Sequence, residues 1–480
     1  MKRIAIIGGG ISGLATAYRI RRGLRASGVE HELVVYESAD RPTGKIRSER
    51  MAGYLIESGP NGYLDNEPAT ERLVADLGLV ERLVPASPDS KTRFLFRRGR
   101  LVPLPTSPPG FLLSPLISLR GRLRVPLEKF VRPASAELEE TVHQFVTRRL
   151  GSEVTEGMID AMVSGIYAGD THSLSIEAAF PRIVEIEQQY GSLLNGQAAL
   201  AREREAKGED LGQTGQPRGQ LASFQDGIDT LVRTLAEELG PAVQTGTRVE
   251  RLERRGAEYL LLLSRGEQVN SRRYLERFDV GFEQTRADAA VLAVPAYAAA
   301  WVLRHVAPRA QQSLAEIPYA SAVVLGLGFL RQHVGHDLQG FGFLAPRREG
   351  LRTLGVRFSS STFPRRAPEG HVLLEAIVGG VHDPEALCVE TRDIVELVLD
   401  ELKAPLALRG RPELTAVFRH HRAIPQYTIG HQARVARAEA AVAERPGLFI
   451  TGNALHGIAM NKCIVESERI AERVVEHLMC

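Results

Sequence analysis

The chain is poor in cysteine and has no long apolar run. Its three cysteines, Cys388, Cys463 and Cys480, are far apart and have no C-x-x-C spacing. This argues against a disulfide framework or a zinc site and favours a reducing compartment. No stretch reaches the roughly 18 apolar residues of a membrane-spanning helix. Because Met1-Lys2-Arg3 leads straight into a short apolar run, we expect no secretion signal. The sequence predicts a cytoplasmic protein, with membrane contact only at the surface.

An excess of charge is also lacking. Lys and Arg number 60 and Asp and Glu 58, a formal net charge of +2. Non-specific binding of nucleic acid needs a broad basic field, so we expect no nucleic-acid partner. The length of 480 residues exceeds a single ordinary core and predicts two or three domains.

The first residues present the pattern of a dinucleotide-binding turn. The apolar run 4–7 predicts a buried parallel strand, and a helical pattern follows the turn. Between them, Gly8, Gly10 and Gly13 form G-x-G-x-x-G, with Ser12 inside the motif. The three glycines permit a tight turn, a close approach of the backbone to a pyrophosphate, and close packing of helix on strand. The helix N-terminus then offers free N–H groups to phosphate.

An acidic residue ends the second predicted strand. Glu37 follows the apolar run 33–36, where a carboxylate accepts hydrogen bonds from ribose hydroxyls and disfavours the 2′-phosphate of NADP. The alternative, a glycine turn in an unrelated α/β unit, is weakened by this strand–turn–helix–strand context.

The next segment favours FAD over NAD. Residues 37–47 resemble the second signature of the amine-oxidase-like flavoprotein superfamily, in which an acid is followed by a basic residue and a glycine pair that contacts the pyrophosphate. Ser38, Gly44 and Lys45 keep the pattern, whereas Thr43 replaces the first glycine. The resemblance implies FAD as the cofactor; the alternative is a solvated run of charges.

Further motifs resemble the protoporphyrinogen oxidase family of that superfamily. They run in order from residue 1 to about 475. The most specific combination is S-G-I-Y-A-G-D at 164–170 with P-Q-Y at 425–427 and Gly430-His431. Other matches lie at 57–62, 93–101, 340–346, 363–368, 378–380 and 452–464.

The resemblance implies an α/β protein, α+β overall, of three domains. These are a discontinuous Rossmann-like FAD-binding domain (1–90, 220–300 and 412–480), a helical membrane-associated and substrate-tunnel domain (91–219), and an antiparallel-sheet substrate domain (301–411). Alternating apolar and polar residues over 320–380 agree with the sheet. Residues 202–219 are charged and glycine-rich, and we expect a surface loop there.

The same resemblance assigns the flavin's neighbours. Gly59, Pro60 and Asn61, followed by Gly62, are expected beside the isoalloxazine. Val249 is expected to meet the adenine through its backbone, and Phe418 stands where the family usually has a tryptophan near the flavin.

The C-terminal strand, turn and helix complete the predicted cofactor site. Gly452 lies in the turn after the strand, and Ile458-Ala459-Met460 is expected to end at the flavin pyrimidine. The following helix N-terminus would stabilise negative charge on reduced flavin. Ala459 replaces a family glycine and Lys462 a family acid, and both changes bear on flavin reactivity.

Five residues are predicted to bind the substrate, an apolar disc with carboxylate arms. Arg93 is expected to engage a propionate, because a planar guanidinium can make two hydrogen bonds to a carboxylate. Leu344 and Ile377 would sandwich the rings, with ordinary sheet core as the alternative. Gly169 would allow close approach to the backbone. Arg357 points either to solvent or to a second propionate.

The implied reaction is oxidation of protoporphyrinogen IX to protoporphyrin IX, with coproporphyrinogen III as the alternative substrate. In each of three rounds a meso carbon gives hydride to flavin N5, a pyrrole N–H loses its proton, and O2 is reduced to H2O2. We assign no protein base and no metal. His172, His431 and His456 are interpreted as structural, and Cys463 as packed in the last helix.

An apolar segment with flanking arginines suggests membrane contact. Residues 108–119 are mostly apolar and are followed by Arg120, Arg122 and Arg124, the pattern of an interfacial anchor. A wall of the substrate tunnel is the alternative. Homodimerisation and channelling to ferrochelatase stay open.

Two other functions are weighed. One is an amine oxidase or carotenoid-desaturase-like flavoprotein, which the 164–170 motif and Arg93 disfavour. The other is a non-catalytic FAD-binding scaffold of the haem pathway, which the Ala459 and Lys462 changes keep open.

Overall fold

The computed structural model describes residues 1–42, 44–105, 110–111, 114–135, 138–206, 219–265 and 282–480. Thr43, most of the predicted loop 202–219 and part of the apolar segment 108–119 lie outside the described residues.

The strands and α-helices are numbered in chain order. The strands are β1 Lys2–Ile7, β2 His31–Tyr36, β3 Ser48–Met51, β4 Tyr54–Glu57, β5 Tyr63–Leu64, β6 Leu83–Pro85, β7 Arg93–Arg97, β8 Arg100–Pro103, β9 Leu221–Phe224, β10 Val243–Gln244, β11 Thr247–Arg255, β12 Glu258–Arg265, β13 Glu283–Ala287, β14 Ala289–Leu292, β15 Tyr319–Leu330, β16 Gly342–Leu344, β17 Thr353–Phe358, β18 His371–Gly379, β19 Leu414–Pro425 and β20 Leu448–Ile450. The helices are α1 Ile11–Ala26, α2 Pro68–Asp76, α3 Leu119–Arg124, α4 Val142–Leu150, α5 Ser152–Val154, α6 Asp160–Tyr167, α7 Ile176–Ala179, α8 Pro181–Tyr190, α9 Leu193–Ala206, α10 Thr230–Leu239, α11 Ala296–Leu303, α12 Pro308–Ala315, α13 Ser359–Thr362, α14 Thr391–Lys403, α15 His431–Ala443 and α16 Met460–Met479.

The two ends of the chain meet in a parallel sheet of five strands, ordered β10-β2-β1-β14-β20. Strand β1 is buried on both faces, which explains its uninterrupted apolar run. Ile4 and Ile6 join the core formed with α1 and α16. Ala5 and Ile7 join the opposite core, which the β11-β12-β13 sheet and helices α11, α12 and α15 complete. Strands from the first and the last parts of the chain therefore share one parallel sheet.

A second, seven-stranded sheet has the order β19-β15-β18-β17-β16-β7-β8. Its pairs are antiparallel except β16 with β7, which run parallel. Strands β7 and β8 come from the range 91–219 and β19 from the range 412–480. The sheet therefore extends beyond the predicted substrate domain 301–411, because its outer strands pair by hydrogen bonds with residues distant in sequence.

A buried ion network lies among helices α3 to α9. The side chains of Arg149 and Glu128 are fully buried, and an Arg149 nitrogen lies 2.8 Å from Glu128 Oε1. Arg149 also pairs with Glu187. Removing one partner of such a network leaves an uncompensated buried charge. Among the described residues, no helix combines the length and the apolarity that crossing a bilayer requires.

Candidate functional site

The turn between β1 and α1 has the close packing expected of a phosphate-binding turn. Gly8 has φ +113°, and a Cβ on Gly13 would stand 1.9 Å from the Gly8 carbonyl oxygen. Gly10 faces Gly44, whose Cα lies 3.8 Å from the position of a Gly10 Cβ. Gly10 is also the N-cap of α1, and no side chain caps the helix there. The turn thus leaves free N–H groups at a helix N-terminus, which suits an anionic ligand.

Glu37 links the end of β2 to this turn. Its Oε2 accepts a hydrogen bond from the Gly9 N–H at 2.7 Å, and its Oε1 accepts one from the Ala39 N–H at 2.8 Å. The neighbouring Ser38 hydroxyl lies 3.3 Å from Oε1. A carboxylate has about four acceptor sites, so Glu37 keeps capacity for about one further hydrogen bond, such as one from a ribose hydroxyl.

Lys45 turns toward the second sheet. Its Nζ donates to the Arg422 carbonyl oxygen at 2.5 Å. Burial lowers the pKa of Lys45 to about 8. A lysine held in this way would regain a high pKa beside a phosphate, because an opposite charge favours the protonated form.

The last helix begins next to the first. Ala459 is the N-cap of α16 without a side-chain cap bond, and Met460 is buried. The Ser467 hydroxyl donates to the Ser12 carbonyl oxygen at 3.1 Å and so ties α16 to α1. Burial raises the pKa of the Cys463 thiol to about 11, which leaves it a poor nucleophile at neutral pH.

The segment after β4 packs tightly between these parts. A Cβ on Gly59 would stand 2.2 Å from the Lys45 carbonyl oxygen, and one on Gly62 would stand 2.5 Å from the Ala222 carbonyl oxygen. Pro60 is exposed. Asn61 is buried, and its Nδ2 has no hydrogen-bond partner. A buried donor without a partner is costly, so Asn61 is suited to donate to a ligand.

The remaining predicted cofactor residues belong to different elements and packing clusters. Val249 is buried in the core that contains Tyr36, beside a bulge in β11. Gly452 has φ +131° after β20. Ile458 packs on the cluster that contains Tyr427. Phe418 packs against the cluster of Tyr54 and Ile56, and its role at the flavin stays a prediction.

The register of the second sheet places four predicted substrate residues on one face. Leu344 lies opposite Gly355, which lies opposite Ile377. Arg93 lies opposite Gly342, which lies opposite Arg357. Paired residues share a face, as do residues two apart on one strand. The other face, with Phe343, Val356 and Ala376 among its residues, packs on α14 as core.

Arg93 is free to meet a ligand at the edge of this face. It is exposed, and its guanidinium carbon lies 5.5 Å from the centre of the Phe341 ring. Arg357 does not point to solvent. Its side chain is 12% exposed and points at Glu375 and at the segment 57–59. Its terminal nitrogens contact groups of the protein, and a role at a second propionate stays a prediction.

The two most specific motifs are in direct contact. The Gln426 Nε2 donates to the Tyr167 carbonyl oxygen at 2.8 Å. A Cβ on Gly169 would stand 2.6 Å from Gln426 Oε1, so a side chain at 169 would displace the Gln426 amide. The Tyr427 ring stacks on His431 at 3.9 Å. This interlock fixes the 164–170 turn against the approach to α16.

Sequence reasoning missed His420, which lies two residues beyond Phe418 on β19. Its Nε2 lies 2.7 Å from the Ser58 carbonyl oxygen. Burial lowers the pKa of His420, and the Lys45 charge adds to the effect. The only signal available was its position two residues from Phe418, which in a strand means the same face.

This combination defines a class: a flavin-dependent oxidoreductase with a dinucleotide fold facing an antiparallel substrate sheet. The glycines at positions 10 and 44, the two helix N-termini without a side-chain cap and the Asn61 amide without a partner fit FAD.

Comparison with known proteins agrees. Residues 11–475 match the family model described as flavin containing amine oxidoreductase. The chain is 31% identical to coproporphyrinogen III oxidase of Bacillus subtilis (strain 168), covering 99% of this chain and 98% of that protein. It is 33% identical to protoporphyrinogen oxidase 1, chloroplastic, of Spinacia oleracea, covering 98% and 84%.

The fold comparison gives the same answer. A crystal structure from Exiguobacterium sp. 255-15, assigned as a protoporphyrinogen oxidase, superposes with a TM-score of 0.81 at 25% identity and covers 99% of this chain and 98% of that one. The chain belongs to the flavin-containing amine oxidoreductase family, and its cofactor is FAD. The predicted superfamily, cofactor and enzyme class are confirmed.

Proposed function

We propose that this oxidoreductase converts protoporphyrinogen IX to protoporphyrin IX, with O2 as acceptor. The observation that carries the proposal is the exposed Arg93 at the edge of a sheet face on which Leu344 and Ile377 flank Gly355. An apolar slot with a cation at one end fits a disc that carries carboxylate arms. The plant relatives named protoporphyrinogen oxidase support this choice.

The residues proposed to hold FAD are those that the family resemblance assigns. Gly8, Gly10, Ser12 and Gly13 at α1, with Gly44 and Lys45, would hold the pyrophosphate; Glu37 and Ser38 would hold the ribose and Val249 the adenine. The isoalloxazine would lie among Gly59, Pro60, Asn61, Gly62, Phe418, Gly452, Ile458, Ala459 and Met460. When bound, FAD supplies the acceptor for two electrons in each round and passes them to O2. The protein would orient the porphyrinogen and neutralise its carboxylates.

Replacing Arg93 by alanine tests the substrate site. We expect the KM for protoporphyrinogen IX to rise about tenfold to hundredfold, because a charge-assisted bond is worth roughly 1.5–3 kcal/mol, while FAD binding stays unchanged. Arg100→Ala, an exposed arginine on the adjoining strand β8, is the matched control. Unchanged kinetics in Arg93→Ala would remove Arg93 from the site.

Coproporphyrinogen III is the second candidate, because the Bacillus subtilis relative named for that substrate is 31% identical over nearly the whole chain. Relative kcat/KM for the two porphyrinogens under air decides between them. Turnover of an amine or a polyene, and of neither porphyrinogen, would instead place the chain elsewhere in its family.

We also propose peripheral membrane contact. The contacting surface would lie mainly after the predicted segment 108–119. Leu116 and Ile117, in the predicted anchor, are buried. The exposed apolar side chains follow at near-helical spacing and are Leu119, Leu123, Leu127 and Phe130. Arg120 and Lys129 are exposed beside them. A row of this kind suits the boundary of an anionic bilayer.

Liposome sedimentation at low salt tests the membrane proposal. Binding to anionic vesicles is expected to fall at least about tenfold in Leu123→Glu/Phe130→Glu, since two apolar contacts are lost. Val80→Glu changes an exposed apolar residue elsewhere and serves as the control. A wild-type protein that ignores anionic vesicles would end the proposal. Homodimerisation and channelling to ferrochelatase remain predictions.

A further inference from the structure

The segment 57–59 connects β4 to the residues proposed to flank the isoalloxazine. It is held from one side by side chains of three strands of the second sheet, of which β17 and β18 are adjacent and β19 is separated from β18 by β15. These are Arg357 on β17, Glu375 on β18 and His420 on β19. All three lie on the sheet face that carries the proposed substrate slot.

Arg357 makes the central contacts. Its Nη1 donates to the Gly59 carbonyl oxygen at 2.9 Å and its Nη2 to the Glu57 carbonyl oxygen at 3.0 Å. The same guanidinium lies 2.8 Å from Glu375 Oε2. Arg357 and Glu375 are directly opposite in the ladder between β17 and β18, so the sheet register itself brings the pair together.

The other two side chains complete the set. Glu375 Oε1 accepts a hydrogen bond from the Glu57 N–H at 2.6 Å. His420 Nε2 donates to the Ser58 carbonyl oxygen at 2.7 Å. Three consecutive carbonyl groups and one amide of the segment are therefore bonded to side chains and not to a neighbouring strand. A shift of the sheet would be transmitted directly to these backbone groups.

The burial of these charges argues for a specific role. The Glu375 side chain is fully buried and that of Arg357 nearly so. A buried ion pair adds little net stability compared with apolar packing of the same volume. Its hydrogen bonds do, however, fix geometry, because a guanidinium forks rigidly to two acceptors. A backbone segment fixed in this way can hold a cofactor and a substrate at reacting distance.

We propose that Arg357, supported by Glu375, is a positioning residue that holds the segment 57–59 against the flavin and binds no substrate carboxylate. The proposal rests on the proposed placement of the flavin. It assigns Arg93 and Arg357, which share one sheet face, to different tasks: Arg93 meets the substrate, and Arg357 sets the cofactor side of the slot.

The test uses a neutral double variant, Arg357→Met/Glu375→Gln, in the FAD-loaded full chain. Removing both charges together avoids an uncompensated buried charge, and glutamine can still accept from the Glu57 N–H. Arg352→Met is the matched control, because Arg352 pairs with Asp383 at the surface beside the same strand. The readouts are the visible flavin spectrum, backbone amide exchange of residues 58–62, and kcat and KM for protoporphyrinogen IX.

We expect an altered flavin spectrum, at least about tenfold faster amide exchange at 58–62, and a kcat lowered about tenfold with KM within about twofold. Arg357→Lys, which keeps the charge but cannot fork to two carbonyls, should retain the thermal midpoint and show the same spectral change. A KM raised about tenfold with an unchanged spectrum would make Arg357 a substrate ligand and overturn the proposal. Unchanged spectrum and exchange would overturn it as well. The spectrum and the amide exchange are measured without substrate, so both test Arg357 even if the proposed porphyrinogen oxidation fails.

Discussion

Replacing Tyr427 of the P-Q-Y motif by phenylalanine tests whether its hydroxyl supports the flavin side of the site. Tyr427 is buried, with 1% of its surface exposed. Its hydroxyl donates to the Asn453 carbonyl oxygen at 2.6 Å and accepts from the Gly457 N–H at 2.9 Å. Both partners lie in the short segment between β20 and α16, so one atom holds the approach to the helix that we place at the flavin.

The expected loss can be worked out for Tyr427→Phe. Two hydrogen bonds of about 1 kcal/mol each amount to roughly 2 kcal/mol. An unfolding entropy of about 2.1 cal/mol/K per residue gives about 1 kcal/mol/K for a chain of 480 residues. The thermal midpoint should therefore fall by about 2 °C. Affinity for FAD should fall by about tenfold, which corresponds to about 1.4 kcal/mol, because binding must then order the loosened segment.

Scanning calorimetry of the FAD-free protein and titration with FAD provide the two measurements. Tyr259→Phe is the control, since that buried hydroxyl bonds to the carbonyl oxygens of Arg445 and Pro446, which precede β20 and lie outside the segment between β20 and α16. It should lower the midpoint by about 1 °C and leave FAD affinity unchanged. Equal FAD affinity in Tyr427→Phe and wild type would refute the assigned role of this segment.

Two further predictions concern the glycine turn and a buried carboxyl group. Gly10→Ala should leave the thermal midpoint of the FAD-free protein nearly unchanged, because the new Cβ meets Gly44 at an ordinary 3.8 Å. It should nevertheless lower FAD affinity by at least about tenfold, because the methyl group overpacks against the ligand. Gly13→Ala, whose Cβ would stand 1.9 Å from the Gly8 carbonyl oxygen, should lower both the midpoint and the FAD affinity, and wild-type FAD affinity in Gly10→Ala would place the pyrophosphate elsewhere. Burial raises the pKa of Glu57 from 4.5 to about 7, against the opposing effect of Arg366. Since the folded state holds the proton more tightly, this stabilisation is present below about pH 4.5 and is lost as pH rises through about 7, a change on the order of 3 kcal/mol. Between pH 5 and 8 the wild type should thus lose more stability than Glu57→Gln, and parallel unfolding profiles would contradict the assignment.

The dinucleotide half of the fold could be predicted from the sequence because its signals are local. The apolar run 4–7, the glycine spacing and the acid at Glu37 each occupy a few neighbouring residues, and the chemistry of phosphate binding needs them in that order. The observed β1, α1 and β2 agree with those expectations.

The substrate face could be predicted only in part, because it depends on pairing between distant strands. Nothing near Arg357 in sequence reveals that Glu375 lies opposite it and that Glu57 and Gly59 lie within reach. The pairing of β7 with β16 was likewise invisible, although it is what brings Arg93 to the same face as Leu344. Register is a non-local property, and a shift of one residue would move every side chain to the other face.

The interlock of the two specific motifs is non-local in the same way. The sequence shows S-G-I-Y-A-G-D and P-Q-Y as separate signals some 250 residues apart. In the structure they form one unit, joined by the Gln426 amide and the Tyr167 carbonyl. Gly169 consequently has a packing requirement that the substrate site alone would not impose.

Anaerobic mixing of the FAD-loaded protein with protoporphyrinogen IX tests the central claim most directly. We expect the yellow colour to bleach as porphyrin fluorescence appears, and O2 to restore the colour with release of H2O2. A protein that takes up no FAD, or whose colour persists in the presence of both porphyrinogens, would contradict the claim.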